Sequence, residues 1–179
     1  MELIEINDEL KKSSDSIPES KIDEFIANVQ SHSRIFVYGT GRSGLMLKAL
    51  AMRLMQLGLN SFVVGETTTP SVENGDLLIV ASSSGETASV VSAVKSGKKS
   101  GAAILAITGM NPSSLTKEVE PLIRIESGSK FSTSASSVQP LGSLFEQMLL
   151  MIFDAVILKM SRMGNNQNQA MAKRHASIE

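Results

Sequence analysis

The sequence contains no cysteine and no tryptophan, and only two of its 179 residues, His32 and His175, are histidines. Without cysteine the chain cannot form a disulfide framework, a thiolate metal site or a cysteine nucleophile. Two histidines are too few for a histidine-rich metal site. Aromatic residues make up 4% of the chain, so there are few platforms on which a base or a sugar ring could stack. We therefore expect a ligand to be held by hydrogen bonds.

The sequence also lacks an excess of either charge, and it lacks a long apolar run. Seventeen basic residues face eighteen acidic ones, a balance that disfavours a large, sequence-independent nucleic-acid surface. No stretch approaches the roughly 20 apolar residues of a membrane helix, and residues 1–10 are too acidic for a secretory signal. We expect a cytoplasmic protein with neither a nucleic acid nor a membrane as partner. Its length predicts a single domain over residues 1–179.

Short apolar runs alternate with segments of helical periodicity through most of the chain. Residues 1–31 carry two amphipathic helical patterns. Residues 34–125 then alternate strand and helix, and the strands are too uniformly apolar to face water. This order predicts an α/β fold, a three-layer αβα sandwich around a five-stranded parallel sheet, as in flavodoxin-like or Rossmann-like proteins. The strands are expected at residues 34–38, 61–64, 76–81, 102–107 and 122–125.

The last third of the chain contains three different patterns. Residues 126–139 are rich in serine and too long for an ordinary connection, so they are a candidate lid loop. Residues 140–179 form a C-terminal helix and tail, and the helix, at 141–160, is apolar on nearly every side. A small monomer could not bury such a helix, so we expect it to form part of an oligomer interface. The polar residues up to about 170 are predicted to be a flexible hinge before a short terminal segment.

The first strand ends in a glycine-rich turn, GTGRSG at residues 39–44, which opens the next helix. By letter this turn matches the G-x-G-x-x-G pattern of dinucleotide-binding folds, and Glu66 follows at about the distance of a ribose-binding acid. Two observations weaken that interpretation. The chain has no room for the second mononucleotide half that usually accompanies the first, and a second turn suited to anions follows the third strand.

This second turn, SSSGET at residues 82–87, also joins a strand to a helix. Ligands of open parallel sheets bind at the carboxyl ends of the strands, where helix N-termini offer unpaired N–H groups to anions. Hydroxyls in both turns complement those donors, and a glycine lets the chain approach a ligand closely. The donors favour a phosphomonoester, since there is neither a P-loop lysine nor a magnesium ligand. The simpler alternative is a helix cap with a capping-box glutamate at Glu86.

Three segments in this order and spacing, GTGRSG, SSSGET and PLGSLFEQ, resemble the sugar isomerase (SIS) domain family. Within that family, GRSGLMLKALAMRLMQLG, VGETTTP and the ending RHASIE are similar to the 6-phospho-3-hexuloisomerases, and the similarity runs from about Arg34 to Glu179. The resemblance implies a homotetramer that reversibly converts D-arabino-3-hexulose 6-phosphate to D-fructose 6-phosphate with no metal and no organic cofactor. It leaves open whether the step serves formaldehyde fixation or pentose synthesis.

The resemblance also implies roles for particular residues. It assigns the proton-abstracting base to Glu146, inside GSLFEQ, and matches His175 to a family histidine. The sequence departs from the commonest family forms at Thr40, where alanine is usual, and at residues 81–83, which replace a glycine-richer run, without removing a hydroxyl from the phosphate site. The residues implied to bind the phosphate are Ser43, Ser82, Ser84 and Thr87, with Ser83, Gly85 and Glu86 lining the same site.

Moving a ketone from C3 to C2 requires a base that takes the C2 proton, a 2,3-enediolate, and return of the proton at C3. Glu146, among apolar neighbours, suits that base, while Arg42 and His175 are candidates to stabilise the enediolate charge. Arg42 has an equally good interpretation as a helix or interface contact, and His175 as an ordinary tail residue. Glu66 either contacts the sugar or closes its turn. A non-catalytic sugar-phosphate sensor and a dinucleotide-binding module stay open as alternatives.

Overall fold

The computed structural model describes residues 1–127, 137–164 and 167–178. Residues 128–136, which make up most of the candidate lid loop, lie outside the described residues. Helices begin and end the described chain, and most of the strands are separated by a helix. The helices are α1 (Glu2–Asp15), α2 (Glu19–Gln30), α3 (Gly41–Gln56), α4 (Ala88–Lys99), α5 (Ser114–Glu118), α6 (Ser143–Met163) and α7 (Gln167–Lys173), and the strands are β1 (Arg34–Tyr38), β2 (Asn60–Val63), β3 (Leu77–Ser82), β4 (Ala103–Gly109) and β5 (Ile123–Ile125).

The five strands form one parallel sheet in the order β2-β1-β3-β4-β5. Val37 of β1 lies between Val63 of β2 and Ile79 of β3. All six residues of β3 are buried, which explains why this strand is apolar at almost every position. The predicted five-stranded parallel sheet is confirmed, and its order reverses between β1 and β3.

Helices cover both faces of the sheet and leave two cores of unequal size. On one face α2, α3 and α6 pack on the sheet, and α1 packs on α6. On the other face α4 and α5 cover a smaller cluster. These layers confirm the predicted sandwich. The larger core contains the edge-to-face pair Phe25 and Phe153, and the smaller one consists of Phe36, Leu78, Val80, Val90, Val94, Ala106 and Leu115.

The helix α6 has a broad buried face and an exposed side on which Asp154 stands among apolar residues. Neighbouring α3 also exposes large apolar side chains. Within the part of the chain that the structure describes, no helix has the length and apolar character needed to cross a membrane. We call the exposed residues Leu45, Met52 and Met55 of α3 and Leu150, Met151 and Leu158 of α6 the α3/α6 apolar set.

The C-terminal tail docks on the end of α3. Residues 167–173 form α7, so the prediction of a flexible hinge up to residue 170 is wrong where the two overlap. The Nη1 atom of Arg174 donates to the carbonyl oxygen of Gln56 at 3.1 Å, where the C-terminus of a helix favours a cation. Met171 packs against the larger core. These long-range contacts order a segment whose composition resembles a linker.

Candidate active site

The two polar turns lie side by side at one edge of the sheet. Residues 39–44 follow β1, residues 82–87 include the end of β3, and these two strands are parallel neighbours. The strand order reverses between them. Such a reversal leaves a crevice between the turns, because the chain leaves the two strands toward opposite faces of the sheet. The turns therefore lie where open α/β folds bind their ligands.

The turn after β1 brings α3 very close to the end of the strand. A Cβ atom on Gly44 would lie 2.5 Å from the carbonyl oxygen of Gly39, so a larger residue would push the helix away. Ser43 is buried in the first turn of α3. The N-cap residue, Thr40, makes no side-chain capping hydrogen bond. The leading N–H groups of α3 are therefore not satisfied by a side-chain cap.

The turn after β3 joins several polar groups in one small network. The hydroxyl of Ser82 accepts from the N–H of Gly85 at 3.1 Å and lies 2.9 Å from the hydroxyl of Thr87. The carbonyl oxygen of Ser82 accepts from the buried hydroxyl of Thr108 at 2.7 Å. Ser82 is thus fixed both within its turn and to the neighbouring strand β4.

The two serines that follow have different surroundings. The hydroxyl of Ser84 accepts from the N–H of Glu86 at 3.1 Å. The hydroxyl oxygen of Ser83 is buried and has no hydrogen-bond partner among the described residues. A buried hydroxyl without a partner is uncommon, because it has lost its hydrogen bonds to water. The hydroxyl of Ser83 therefore lies below the surface of the turn, where it does not face solvent.

Gly85 is fixed by the chain segment that enters α5. Its φ angle of +65° lies in the left-handed region that favours glycine. An added Cβ atom would overlap the hydroxyl of Ser113 and would lie 2.6 Å from the Cβ of Ser113. The carbonyl oxygen of Gly85 also accepts from the N–H of Leu115 at 2.9 Å. Both the backbone conformation and the available space therefore require glycine.

The carboxylate of Glu86 binds the first residue of α5. Its Oε1 accepts from the N–H of Ser114 at 2.8 Å, and its Oε2 accepts from the hydroxyl of Ser114 at 2.6 Å. These hydrogen bonds lower the pKa of Glu86, and burial opposes them only in part. Because Ser114 occupies the carboxylate of Glu86, only the backbone of Glu86 is left to line the predicted phosphate site.

A capping box does not form at the SSSGET turn. Thr87 is the N-cap residue of α4, yet it makes no side-chain capping hydrogen bond. The capping box is found at α5, where Ser113 and Thr116 each bond the other's backbone N–H. The alternative interpretation of SSSGET, as a helix cap and no more, is therefore not supported at Thr87. Its hydroxyl is bonded within the turn instead.

A buried carboxylate from α6 meets the turn after β1. The Oε2 atom of Glu146 lies 3.1 Å from the Nε of Arg42, and the exposed fractions of the two side chains are 5% and 55%. The Nη1 of Arg42 donates to the hydroxyl of Ser143 at 3.0 Å, and that hydroxyl donates to the carbonyl oxygen of Pro140 at 2.8 Å. Because Arg42 directly precedes Ser43, this ion pair sets a carboxylate beside the predicted phosphate turn. The sequence indicated both residues but not their pairing.

His175 lies toward the opposite end of α3. Its neighbour Arg174 binds Gln56, the last residue of that helix, whereas Arg42 lies in the first turn. A helix of 16 residues is about 24 Å long. The Nδ1 atom of His175 lies 3.0 Å from the carbonyl oxygen of Ala176. Within the single chain the structure does not bring His175 to the Arg42–Glu146 pair.

Glu66 forms an ion pair with Lys48 of α3, with 3.3 Å between Oε1 and Nζ, and both side chains are about half exposed. The backbone of Glu66 closes its turn, since its N–H donates to the carbonyl of Val63 and its carbonyl accepts from the N–H of Thr69. These contacts favour the turn-closing interpretation over direct contact with a sugar.

The donors at this edge of the sheet suit an anion. They are hydroxyls, backbone N–H groups and one guanidinium, groups that bind phosphate and enolate oxygens well. In residues 1–127, 137–164 and 167–178, no group of three or more histidine, aspartate or glutamate side chains could hold a metal ion.

Two residues that shape the site were missed in the sequence. Ser143 lies three positions before Glu146, and this Ser-x-x-Glu spacing was an available signal, although it would have suggested a capping box. Ser114 gave no signal, because its partner Glu86 is 28 positions away and only the fold brings them together.

A family model for the SIS domain matches residues 29–151, which is most of the chain. The chain belongs to the SIS domain family. It is 40% identical over 177 residues to a Bacillus subtilis protein named 3-hexulose-6-phosphate isomerase, covering 98% of this chain and 96% of that relative. It is 36% identical to a Mycobacterium gastri protein of the same name, covering 97% of this chain and 88% of the relative.

Solved structures agree with this membership. A crystal structure from Methanococcus jannaschii, described as inferring a 3-hexulose-6-phosphate isomerase function, matches with a TM-score of 0.83 at 34% identity and covers 99% of both chains. The predicted SIS fold and the resemblance to this group of isomerases are confirmed.

Proposed function

We propose that this SIS protein is a cytoplasmic isomerase that interconverts D-arabino-3-hexulose 6-phosphate and D-fructose 6-phosphate. Two relatives that match nearly the whole chain carry the name 3-hexulose-6-phosphate isomerase. The observation that carries the proposal is the contact between Arg42 and the buried Glu146. It joins a candidate general base to the turn that holds Ser43, at the same sheet edge as the hydroxyl-rich turn after β3.

The phosphate group binds between the two turns. In the hydrogen-bonded pair of Ser82 and Thr87 only one hydroxyl donates to the other, so the second keeps its proton for an outside acceptor. Ser43 and Ser84 complete the set with the N-terminal N–H groups of α3 and α4, where the helix dipole favours an anion.

Glu146 acts as the general base. Its carboxylate takes the proton from C2 of the 3-ketose, the C2–H electron pair forms the C2–C3 double bond, and the C3 carbonyl becomes an enediolate oxygen. The same carboxyl group then returns the proton to C3, while the hydroxyl proton moves from O2 to O3. One carboxylate therefore serves both halves of the reaction, in either direction.

Arg42 stabilises the negative charge that develops on the enediolate oxygens. Its guanidinium contacts Glu146 and Ser143 through two nitrogens, so its orientation is set before the substrate binds. A planar cation already in place loses little freedom on binding, which favours electrostatic stabilisation of the transition state.

We further propose that the enzyme is a homotetramer and that His175 acts in a neighbouring subunit. The α3/α6 apolar set is exposed in a single chain, and large exposed apolar surfaces of this kind mark protein interfaces. His175 lies about the length of α3 from its own Arg42, so it serves a site of another copy. Removing residues 170–179 tests this. Lost turnover in an intact tetramer supports the proposal, and unchanged turnover removes His175 from the mechanism.

The function itself is tested by incubation of the protein with D-fructose 6-phosphate in D₂O. Isomerisation through a 2,3-enediolate places deuterium at C3 of the recovered fructose 6-phosphate and produces a 3-ketose, both visible by NMR. A sugar-phosphate sensor would raise the melting temperature with fructose 6-phosphate but incorporate no isotope. A dinucleotide-binding module would be stabilised by NAD(H) or NADP(H) and not by the sugar phosphate.

A further inference from the structure

Glu9 on α1 holds a segment of chain that lies about 130 positions away. Its carboxylate accepts from the hydroxyl of Ser137 at 3.0 Å, from the backbone N–H of Val138 at 2.7 Å and from the side-chain amide of Gln139 at 3.0 Å. The N–H of Gln139 also donates to the hydroxyl of Ser137 at 3.1 Å. One carboxylate thus gathers three consecutive residues that precede α6.

A carboxylate fits this position better than an amide. All three groups that face Glu9 here are donors, and an ionised carboxylate is an acceptor at both oxygens. Burial favours the neutral acid, but the hydrogen bonds from Gln139, Val138 and Ser137 outweigh it, and the pKa of Glu9 is lowered. A glutamine would present an N–H₂ group to at least one donor.

The segment held by Glu9 leads directly to the candidate catalytic pair. After Gln139 the carbonyl of Pro140 accepts from the hydroxyl of Ser143. That hydroxyl in turn accepts from Arg42, and Arg42 pairs with Glu146. The orientation of Arg42 therefore depends on where the carbonyl of Pro140 lies.

Leu141, between these contacts, has a strained backbone. Its φ angle is +57°, a region that a branched side chain rarely adopts. Its side chain is 75% exposed, so packing does not hold it there. Such a conformation persists only where the surrounding structure enforces it. Glu9 fixes the chain before Leu141, and Ser143 fixes it afterwards.

We propose that Glu9 is a positioning residue for isomerisation, holding residues 137–142 so that Ser143 presents Arg42 correctly to Glu146. Glu9 touches neither reacting carbon and acts only through this turn. The proposal rests on the proposed function where turnover is the readout. It extends the set of residues that support the active site to α1, a helix that packs on α6.

Glu9→Gln tests the proposal, with Asp8→Asn on the exposed side of the same helix as the matched control. We expect Glu9→Gln to lower kcat about tenfold, less than the roughly 10²-fold that a 1 Å misplacement of a catalytic group costs, because Glu9 acts only through Ser143 and Arg42. KM should change less than about twofold, since the hydroxyl-rich turn after β3 is bonded within itself and to α5. Asp8→Asn should behave like the wild type. Equal kcat values for both variants would overturn the proposal.

Leu141→Gly separates positioning from a general loss of stability. Glycine adopts the left-handed conformation without strain, so the turn should then need Glu9 less. In the Leu141→Gly background we expect Glu9→Gln to lower kcat less than about threefold, a coupling typical of residues that act through one turn. The same tenfold loss in both backgrounds would contradict the proposed role.

Hydrogen exchange provides a readout that does not need turnover. In the wild type the N–H of Val138 is bonded to Glu9. Glu9→Gln should speed exchange at the N–H of Val138 by about tenfold, because this opening is local, as read in a peptide that begins at least two residues before Ser137. Unchanged exchange would reject the positioning role. If the wild type incorporates no deuterium into fructose 6-phosphate while this exchange difference appears, the proposed function fails, and only the hold of Glu9 on residues 137–142 is upheld.

Discussion

The two turns at the carboxyl edge of the sheet are stabilised in different ways. The turn after β3 is bonded within itself and to the start of α5, 28 positions along the chain. The turn after β1 depends at Arg42 on α6, 101 positions away. The proposed phosphate site thus draws most of its hydroxyls from a local unit, whereas the proposed acid–base pair forms only when α6 packs on α3. Damage to the two turns should therefore affect KM and kcat separately.

Glu146→Gln should have the largest effect. The amide keeps the shape of the side chain but cannot accept a proton, so kcat should fall by at least about 10²-fold while substrate affinity stays nearly intact. Steady-state kinetics with fructose 6-phosphate would measure both quantities. Glu24→Gln, the same chemical change at an exposed glutamate of α2, is the matched control. A variant that retains near-normal turnover would exclude Glu146 as the base.

Gly85→Ala should damage the other turn. The added methyl group meets Ser113 and the residue must keep a positive φ, so KM should rise about tenfold, the scale of backbone strain, with a smaller change in kcat. Ser113→Gly removes the obstructing side chain. The double variant should recover part of the lost affinity relative to Gly85→Ala. No recovery would mean that the steric contact with Ser113 is not the cause.

Glu86→Gln should loosen the same turn more mildly and in a pH-dependent way. Hydrogen bonds from Ser114 lower the pKa of Glu86 below its ordinary value of 4.5. A lowered folded-state pKa stabilises the fold above the unfolded-state pKa, and this contribution is lost as the pH falls through the folded-state value. The wild type should therefore be more stable than Glu86→Gln at neutral pH, and the difference should vanish in acid. Urea unfolding across this range would measure it, and a constant difference would contradict the prediction.

Glu66→Gln should have the smallest effect. Its ion pair with Lys48 is exposed, and such pairs contribute about 0–1 kcal/mol. We expect unchanged kcat and KM and a nearly unchanged melting temperature. A clear rise in KM would show that Glu66 contacts the sugar, and the turn after β2 would then share in substrate binding.

The strands could be predicted from sequence because burial on both faces leaves uniformly apolar runs, but their ends could not. The third strand was expected to end at Ala81, yet it continues to Ser82, which pairs with Thr108 of β4. Parallel pairing depends on the neighbouring strand and not on the polarity of the side chain. The helix α7 was mistaken for a hinge because its composition is polar. Its position depends on a distant contact, between Arg174 and the end of α3, which the local sequence does not reveal.

Site residues that belong to a sequence motif could be predicted individually. The contacts between them could not be predicted from the sequence. Glu146 and Arg42 were proposed separately, and only the packing of α6 on α3 shows that they pair. Glu9 gave no signal at all, because three of its partners lie in a polar segment far along the chain.

The exposed methionines of the α3/α6 apolar set have a chemical consequence in a chain without thiols. Met52, Met55 and Met151 are exposed, and peroxide oxidises an exposed thioether to a polar sulfoxide. The extent of oxidation at each of these three side chains therefore reports how exposed it is to solvent. A sulfoxide pattern read by mass spectrometry would map which parts of this surface stay covered in solution, with no label added to the protein.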